Sequence, residues 1–286
     1  MGSNTCLNQP VLESRRAAVL GHPVSHSLSP TLHRAAYKAL GLPWHYEAIE
    51  VESGGLAAFV AELGPEWGGL SLTMPLKVEA VGLMDFIEPM AKIVGAVNTV
   101  LIQRFADQRH LVGANTDVHG IVAALREAGV ESAKSGVIIG GGATATSALA
   151  ALGQLGVTSP VVLVRDRARA GALMRAATKM GVTVHFADIA DASRLAPLAD
   201  VVVSTIPADA GAGIGAHLET ASGTLLDVVY SPLVTPLGAA WEAAGGRRVG
   251  GERMLLHQAG EQVRLMTGRS APIDQMDSAL REELTF

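Results

Sequence analysis

The second half of the chain alternates short runs of β-branched residues with alanine-rich stretches. From about residue 135 onward the runs are GVIIG, PVVLV, VTVHF, DVVVSTI, TLLDVVY and RRVGG. Short apolar runs of this kind indicate strands that are buried on both faces, and helical crossovers between such strands make them parallel. The pattern therefore predicts a six-stranded, doubly wound parallel sheet of the α/β class.

The first half also mixes strands and helices. We expect strands at 16–21, 44–51 and 68–73, helices at 30–40, 54–63 and 75–84, and a hairpin-like pair over 97–114. Two further helices, near 252–267 and 272–283, follow the sixth strand of the second half. The chain has 286 residues, of which 49% are hydrophobic, and this is enough for two α/β domains.

These elements predict a domain organisation. Residues 1–15 form a flexible leader, and residues 16–116 form a first domain that the C-terminal helices within 252–286 complete. Residues 117–251 form the parallel-sheet domain. We expect the ligand site in a cleft between the two domains, because domain interfaces are a common place for small-molecule pockets.

Charge and cysteine content exclude several classes of partner. The net charge is −5 and the basic residues are dispersed, which disfavours nucleic acid or an acidic membrane surface as a partner and favours a small molecule. The start of the chain lacks the basic-then-apolar layout of a signal peptide, so we expect a cytoplasmic protein. The single cysteine, Cys6, excludes an internal disulfide and makes a catalytic thiol improbable.

A glycine-rich turn follows the first strand of the second half. In GVIIGGGATATSALAAL, Gly140 and Gly142 stand between a buried strand and a helix, where a G-x-G turn presents helix N–H groups to a pyrophosphate. Ala143 and Ala145 occupy the helix start, where the fingerprint has its third small residue. A tight strand-to-helix turn without a ligand is the alternative interpretation.

Arginines follow the next strand. In VRDRARA, Arg165, Arg167 and Arg169 lie where the chain approaches the adenosine ribose of a dinucleotide, and this favours a 2′-phosphate there. Asp166 argues for a free 2′-hydroxyl instead, unless it caps the helix that starts there. A solvated helix start without a ligand is the third interpretation.

The stretch GHPVSHSLSPTLHRAAY places hydroxyl groups before a helix. We expect Ser29 to be the N-cap and Pro30 the first helical residue, with Ser27 two residues earlier. Together the two serines predict a binding site for a ligand carboxylate. His26 and His33 lack partners at metal-ligand spacing, so we interpret them as structural and expect no metal site.

Two similar motifs, GAVNTV and GANTDVHG, each carry an amide beside a hydroxyl. Asn98 and Thr99 lie in the first motif, and Asn115, Thr116 and Asp117 lie in the second. Taken alone, Asp117 is most simply interpreted as the cap of the helix that follows.

The stretch SLTMPLK puts a lysine where helices disfavour one. Pro75 is expected to start a helix, which places Lys77 in its first turn, where the helix dipole disfavours a cation by a few tenths of a kcal/mol to about 1 kcal/mol. Such a position indicates that the lysine has another function.

Seven motifs occur in order along the chain: GHPVSHSLSP, GLSLTMPLK, GAVNT, GANTD, the GGGAT turn, DVVYSPLVTPL and GGERMLLHQAGEQ. In this order and approximate spacing, from about residue 16 to 270, the chain resembles the shikimate dehydrogenases. The resemblance implies a substrate domain that faces a Rossmann-type domain across a cleft. It also implies the reversible reduction of 3-dehydroshikimate to shikimate with NADPH, in the pathway to chorismate and the aromatic amino acids.

The resemblance also assigns roles by position. The catalytic residues are Lys77 and Asp117. The residues for the substrate are Ser27 and Ser29 at its carboxylate, Thr73, Asn98 and Gln258 at its ring hydroxyls, and Asp117 and Tyr230 in the same pocket. The residues for the cofactor are Gly140, Gly141, Gly142, Ala143 and Thr144 at the pyrophosphate, Arg165 and Arg169 at the 2′-phosphate, and Val228 and Gly251, the latter near the nicotinamide. Ser71 stands where many members have asparagine, and Val118 where glycine is common.

The chemistry of the reaction explains the position of Lys77. Hydride addition to a ketone builds negative charge on oxygen, and a lysine can both stabilise that charge and supply a proton. The positive potential at the helix start favours the neutral amine, while a carboxylate at Asp117 favours the ammonium form. Two other functions remain open: a quinate or aminoshikimate dehydrogenase of the same fold, and a non-catalytic metabolite sensor. The sequence does not distinguish a monomer from a homodimer.

Overall fold

A computed structural model describes residues 13–106 and 108–285, without the side chain of Arg169. The first twelve residues of the predicted leader, including Cys6, lie outside the described residues. The described chain forms two α/β units, each built around its own sheet, as the residue patterns predicted.

The first sheet has six strands. They are β1 (Arg15–Gly21), β2 (Trp44–Glu50), β3 (Trp67–Leu72), β4 (Phe86–Ile87), β5 (Thr99–Phe105) and β6 (Gln108–Ala114), in the spatial order β2-β1-β3-β5-β6-β4. Strands β2, β1 and β3 are parallel, and β5 runs antiparallel to both β3 and β6. The predicted hairpin-like pair is therefore β5 and β6, and it extends the same sheet.

The second sheet is parallel throughout. Its strands are β7 (Gly136–Ile139), β8 (Val161–Val164), β9 (His185–Asp188), β10 (Val201–Ser204), β11 (Thr224–Asp227) and β12 (Arg247–Gly250), in the order β12-β11-β10-β7-β8-β9. This is the Rossmann-type order, in which the direction of winding reverses between β7 and β10. A crevice opens at the carboxyl ends of the strands at such a point, and ligands bind there.

Helices cover both sheets. They are α1 (Ser29–Ala39), α2 (Leu56–Ala61), α3 (Leu76–Glu79), α4 (Pro89–Val94), α5 (Asp117–Glu127), α6 (Ala143–Gln154), α7 (Gly171–Met180), α8 (Ala192–Leu195), α9 (Ala208–Gly215), α10 (Pro236–Ala243), α11 (Gly251–Thr267) and α12 (Ile273–Leu284). In the described part of the chain, no helix combines the length and the apolar character that crossing a bilayer requires.

The last two helices pack on the first sheet rather than on the second. Leu256 and Val263 of α11 and Met276 of α12 are buried in one apolar cluster with Val19 of β1 and Leu32 of α1. Helix α11 also packs along α5, which leads into the second sheet. The domain boundaries at residues 116 and 251 stay a prediction.

Several element boundaries differ from those expected. Helix α1 begins at Ser29 with Leu28 as its N-cap, so Ser29 is not the cap that the sequence suggested. The helix expected over 75–84 is the single turn α3 followed by a 3₁₀ turn at Ala80–Leu83, and Pro75 is its N-cap rather than its first residue. Strand β4 and helix α4 were not anticipated.

Candidate active site

A cavity of about 190 Å³ lies where the two sheets face each other. Its walls include every residue to which the resemblance assigned catalysis or substrate binding: Ser27, Ser29, Thr73, Lys77, Asn98, Asp117, Tyr230 and Gln258. Thr144, Val228 and Gly251, assigned to the cofactor, line the same cavity. The structure thus brings residues from both α/β units to one place.

Lys77 and Asp117 form a close ion pair in this cavity. Lys77 Nζ donates to Asp117 Oδ2 over 2.6 Å, and the two side chains are 17% and 5% exposed. Lys77 is the second residue of α3, in the first turn as expected. Asp117 does not cap α5: Thr116 is the N-cap residue, and Asn115 Oδ1 accepts from the backbone N–H groups of Asp117 and Val118. The Asp117 carboxylate is therefore free to face Lys77.

Asn98 holds the other oxygen of that carboxylate. Asn98 Nδ2 donates to Asp117 Oδ1 over 2.7 Å, and Asn98 Oδ1 accepts from the backbone N–H of Thr116 over 2.8 Å. Gln258 lies beside this group, with its Oε1 3.3 Å from Thr116 Oγ1 and 3.5 Å from Asn98 Nδ2. The site is consequently a buried anion fixed by one cation and one amide, with a second amide next to it.

The loops that begin with GHP and TMP lie against each other at one edge of the cavity. Thr73 N–H donates to the Leu20 carbonyl and His22 N–H donates to the Met74 carbonyl, over 2.9 and 3.0 Å. A Cβ at Gly21 would stand only 2.3 Å from Thr73 Cγ2 and 2.8 Å from the Met74 carbonyl. Glycine is required at Gly21 by this close approach, which brings Thr73 next to the serines of the following loop.

The two serines and Tyr230 line the cavity with hydroxyl groups. Ser27 Oγ accepts from the Ser29 backbone N–H over 3.3 Å, and Ser29 itself is buried. Burial raises the pKa of Tyr230, so its phenol stays protonated and able to donate. These three groups can bind a carboxylate from two sides.

Asp227 shapes the loop that holds Tyr230. Its carboxylate accepts from Thr235 Oγ1 over 2.6 Å and from the Val229 backbone N–H over 3.4 Å. Burial raises the pKa of Asp227. These two hydrogen bonds join the end of β11 to the residue before α10, and so they hold in place the loop that carries Tyr230.

The glycine turn forms a second groove, at the switch point of the parallel sheet. The groove is lined by Gly140, Gly141, Gly142, Val164, Arg165, Asp166, Ala170, Ile189, Thr205, Ile206 and Pro207. Gly140 has φ +118°, and a Cβ there would stand 2.3 Å from Thr205 Oγ1. Helix α6 begins at Ala143 with no side chain capping it, so its first N–H groups point toward the groove without a side-chain partner from the described residues. A glycine cradle before an uncapped helix start suits a pyrophosphate.

The arginine stretch lies at the outer end of this groove. Val164 is buried at the strand end, and Arg165 is exposed on the groove wall. Asp166 Oδ1 accepts from the Ala168 backbone N–H over 2.9 Å and caps the 3₁₀ turn that follows, which is the capping role considered for it from the sequence. The Arg169 side chain is not among those described, so its assignment stays a prediction.

Gly251 lines the cavity from the side of the second sheet. This residue opens α11, and a Cβ on it would stand 2.3 Å from the Val228 carbonyl oxygen. Only a residue without a Cβ lets the helix start pack directly on the end of β11. Val228 and Gly251 therefore belong to the part of the second α/β unit that lines the cavity of the Lys77–Asp117 pair.

Some lining residues were not anticipated. Met254, Leu255 and Gln262 of α11 face the cavity, together with Val19 and Leu72 of the first sheet. Gln262 stands four residues after Gln258, one helical turn along the same face, and this spacing could have identified it. Within the described ranges, no group of three His, Cys, Asp or Glu residues is arranged to hold a metal ion.

Comparisons with known proteins identify relatives of the whole chain. The profile of the shikimate dehydrogenase substrate binding domain matches residues 19–100, and that of the shikimate 5′-dehydrogenase C-terminal domain matches residues 251–281. The shikimate dehydrogenase (NADP(+)) of Moorella thermoacetica is 36% identical over 282 residues, covering 93% of this chain and 92% of that protein.

Solved structures agree with this. The shikimate dehydrogenase of Mycobacterium tuberculosis superposes with a TM-score of 0.84 at 41% identity, covering 94% of this chain and 99% of that one. The shikimate 5-dehydrogenase of Thermus thermophilus, solved in complex with NADP(H) and shikimate, superposes with a TM-score of 0.78 at 31% identity, covering 94% of this chain and 99% of that one. The fold of the described chain is thus that of these enzymes.

Proposed function

The chain belongs to the shikimate dehydrogenase family, and from this we propose that it catalyses the reversible, NADPH-dependent reduction of 3-dehydroshikimate to shikimate. One observation supports this most strongly. A largely buried lysine–carboxylate pair lies in a cavity lined with hydroxyl and amide groups, and a glycine-turn groove lies at the carboxyl ends of the strands of the second sheet. This arrangement matches the needs of hydride transfer to a ketone on a polyhydroxylated acid.

The groove fits an NADP cofactor. We assign the pyrophosphate to the glycine turn at 140–142 and to the first N–H groups of α6, supplied by Ala143 and Thr144. Arg165, with Arg169, supplies positive charge for a 2′-phosphate, while Asp166 is occupied in its cap. When bound, the dihydronicotinamide would supply the hydride, and we assign Val228 and Gly251, which line the cavity, to the place beside its ring.

The hydroxyl groups at one wall fit the substrate carboxylate. Ser27 and Ser29 bind it from the loop before α1, and the protonated phenol of Tyr230 binds it from the opposite unit. Hydrogen bonds to a charged group contribute about 1.5–3 kcal/mol each, so these hydroxyl groups fix the orientation of the substrate ring. Thr73 and Gln258 then lie around the ring and bind its hydroxyls. Asn98 borders the ring as well, but its amide is engaged by Thr99, Thr116 and Asp117, so we assign it to holding Asp117 rather than to binding a hydroxyl.

Lys77 and Asp117 perform the proton transfer. The carbonyl carbon receives the hydride, its π electrons pass to oxygen, and that oxygen takes a proton from Lys77 Nζ. Asp117, held by Asn98, orients the lysine and balances its charge before the transfer. In the reverse direction the neutral amine accepts the proton from the shikimate hydroxyl.

An absorbance assay at the nicotinamide band tests the proposal. Shikimate, quinate and aminoshikimate are each offered with NADP and with NAD, and we expect shikimate with NADP to give the highest kcat/KM. A higher value for quinate or aminoshikimate would reassign the substrate within the same fold. Binding of NADP and shikimate without turnover would indicate a sensor instead of an enzyme.

A cytoplasmic location, and the choice between monomer and homodimer, remain predictions.

A further inference from the structure

Gln262 faces the substrate cavity but has no hydrogen-bonding capacity left for a ligand. Its Oε1 accepts from Ser71 Oγ over 2.8 Å and lies 3.2 Å from His33 Nε2. Its Nε2 donates to the Asn98 carbonyl over 3.2 Å and to Thr99 Oγ1 over 3.1 Å. A glutamine amide has two acceptor sites and two hydrogens, and all four are used inside the protein. Gln262 is therefore not a substrate ligand, although it lines the cavity.

Backbone groups fix the direction of these bonds. A backbone carbonyl only accepts, so the nitrogen of Gln262 faces the Asn98 carbonyl and its oxygen faces Ser71 and His33. A backbone N–H only donates, so the oxygen of the Asn98 amide faces the Thr116 N–H and its nitrogen faces Asp117. The orientation of both amides follows from the bonding alone.

The bonds continue in one direction to the catalytic carboxylate. Thr99 Oγ1 accepts from Gln262 Nε2 and donates to Asn98 Oδ1 over 2.8 Å, and Asn98 Nδ2 donates to Asp117 Oδ1. Each donor in this series points toward Asp117, so each bond polarises the next. Thr99 is fully buried, behind the cavity wall.

A buried histidine, His33, precedes Gln262 in the series. His33 is stacked on Tyr46, with ring centroids 4.0 Å apart, and Tyr46 OH donates to Ser71 Oγ over 2.6 Å. Since Gln262 Oε1 must accept, His33 Nε2 carries the hydrogen, and Nδ1 accepts from Tyr37 OH at 3.2 Å. Burial lowers the pKa of His33 to about 4, so the ring is neutral at neutral pH, as this pattern requires.

We propose that Gln262 and Thr99 are positioning residues that act through Asn98 on the Asp117 carboxylate. The series of hydrogen bonds runs from Tyr37 through His33, Gln262, Thr99 and Asn98 to Asp117. It locks the Asn98 amide so that its nitrogen always faces Asp117, and the carboxylate is thereby held toward Lys77. This inference rests on the proposed function, because it assigns a purpose to bonds that end at the Lys77–Asp117 pair.

Thr99→Val tests this step, because it removes one hydroxyl, keeps the shape and touches no ligand. We expect kcat for shikimate oxidation to fall about tenfold, equivalent to about 1.4 kcal/mol, while the KM values for shikimate and NADP stay within about twofold. Thr99→Ser, which restores the hydroxyl, should return kcat to within about twofold of the wild type. Val100→Ala is the matched control: it removes buried atoms from the neighbouring position of β5, lowers stability, and should leave kcat unchanged.

The outcomes separate the possibilities. A folded Thr99→Val variant with wild-type kcat overturns the proposal, as does a loss of kcat that Thr99→Ser does not restore. If Thr99→Val does not fold, Gln262→Met supplies the same test, and there a rise in shikimate KM at unchanged kcat would show Gln262 to be a substrate ligand. Failure of the proposed function is recognised separately, because the wild-type protein would then give no NADPH from shikimate.

Discussion

Protonation of His33 should make the protein sensitive to acid. Its ring is 0% exposed, and burial lowers its pKa from 6.5 to about 4 in the folded state. Between these two values the unfolded chain binds a proton that the folded chain does not, so the free energy of unfolding falls as the pH falls. The difference of about 2.5 pH units corresponds to about 3 kcal/mol in total, of which about 2 kcal/mol is lost by pH 5.

The perturbation is His33→Gln, which removes the titrating group and keeps an amide able to donate toward Gln262. Urea unfolding at pH 7.5, 6.5, 5.5 and 5 measures the free energy of unfolding of wild type and variant. The advantage of the wild type over the variant should shrink by about 2 kcal/mol across this range. His45→Gln, which changes an exposed histidine, should leave the pH dependence of the wild type unaltered. Parallel loss of stability in wild type and His33→Gln would refute the reasoning.

Three further substitutions test the substrate and cofactor sites. Removing both hydroxyls in Ser27→Ala with Ser29→Ala should raise the shikimate KM at least about tenfold and leave NADP binding unchanged, as measured by steady-state kinetics and NADP titration of folded protein. The wild type should prefer NADP over NAD by at least about tenfold in kcat/KM, and Arg165→Ala should remove most of this preference by lowering kcat/KM for NADP while that for NAD changes little. A wild type that uses NAD equally well would show that Asp166 faces the ribose. The methyl group of Gly251→Ala would stand 2.3 Å from the Val228 carbonyl oxygen. This substitution should lower the free energy of unfolding, measured by heat or urea, by about 1–3 kcal/mol and should raise the NADP KM. Wild-type values for both would show that the start of α11 can shift to accept the methyl group.

Local patterns in the sequence predicted most of the fold. The six runs of the second half correspond to β7–β12, because strands buried on both faces leave an apolar signature that does not depend on distant contacts. Strand β4 and helix α4 were missed. The strand has only two residues, Phe86 and Ile87, and it exists because β6 lies beside it. The start of α4 did have a local signal, since Glu88 caps it and Pro89 occupies its first position.

The capping roles of Ser29 and Asp117 could not be settled locally. Both are good N-cap residues by type, yet α1 and α5 begin one residue earlier in the pattern, with Leu28 and Thr116 as caps. Asp117 is directed to Lys77, forty positions away in the chain, and this tertiary contact outweighs the local preference. Capping residues chosen by propensity alone are reliable only where no distant partner competes for the side chain.

The series of hydrogen bonds behind the cavity could not be predicted from sequence patterns, because it joins residues that are far apart in the chain. Gln262 meets Thr99 and His33 at separations of 163 and 229 residues. Its spacing from Gln258 indicates only that both lie on one helix face. Which of the two amides is left free for a ligand depends on the partners that the fold brings to each.

The central claim is that Lys77 transfers the proton while Asp117 holds it in place. Lys77→Met keeps an unbranched side chain only one atom shorter and removes its charge and proton. With shikimate and NADP at saturation, and with chemistry shown to be rate-limiting, kcat should fall at least about 10²-fold while shikimate binding stays within several-fold, because the loss falls on the transition state. A variant that retains more than about a tenth of the wild-type kcat under these conditions would contradict the assignment.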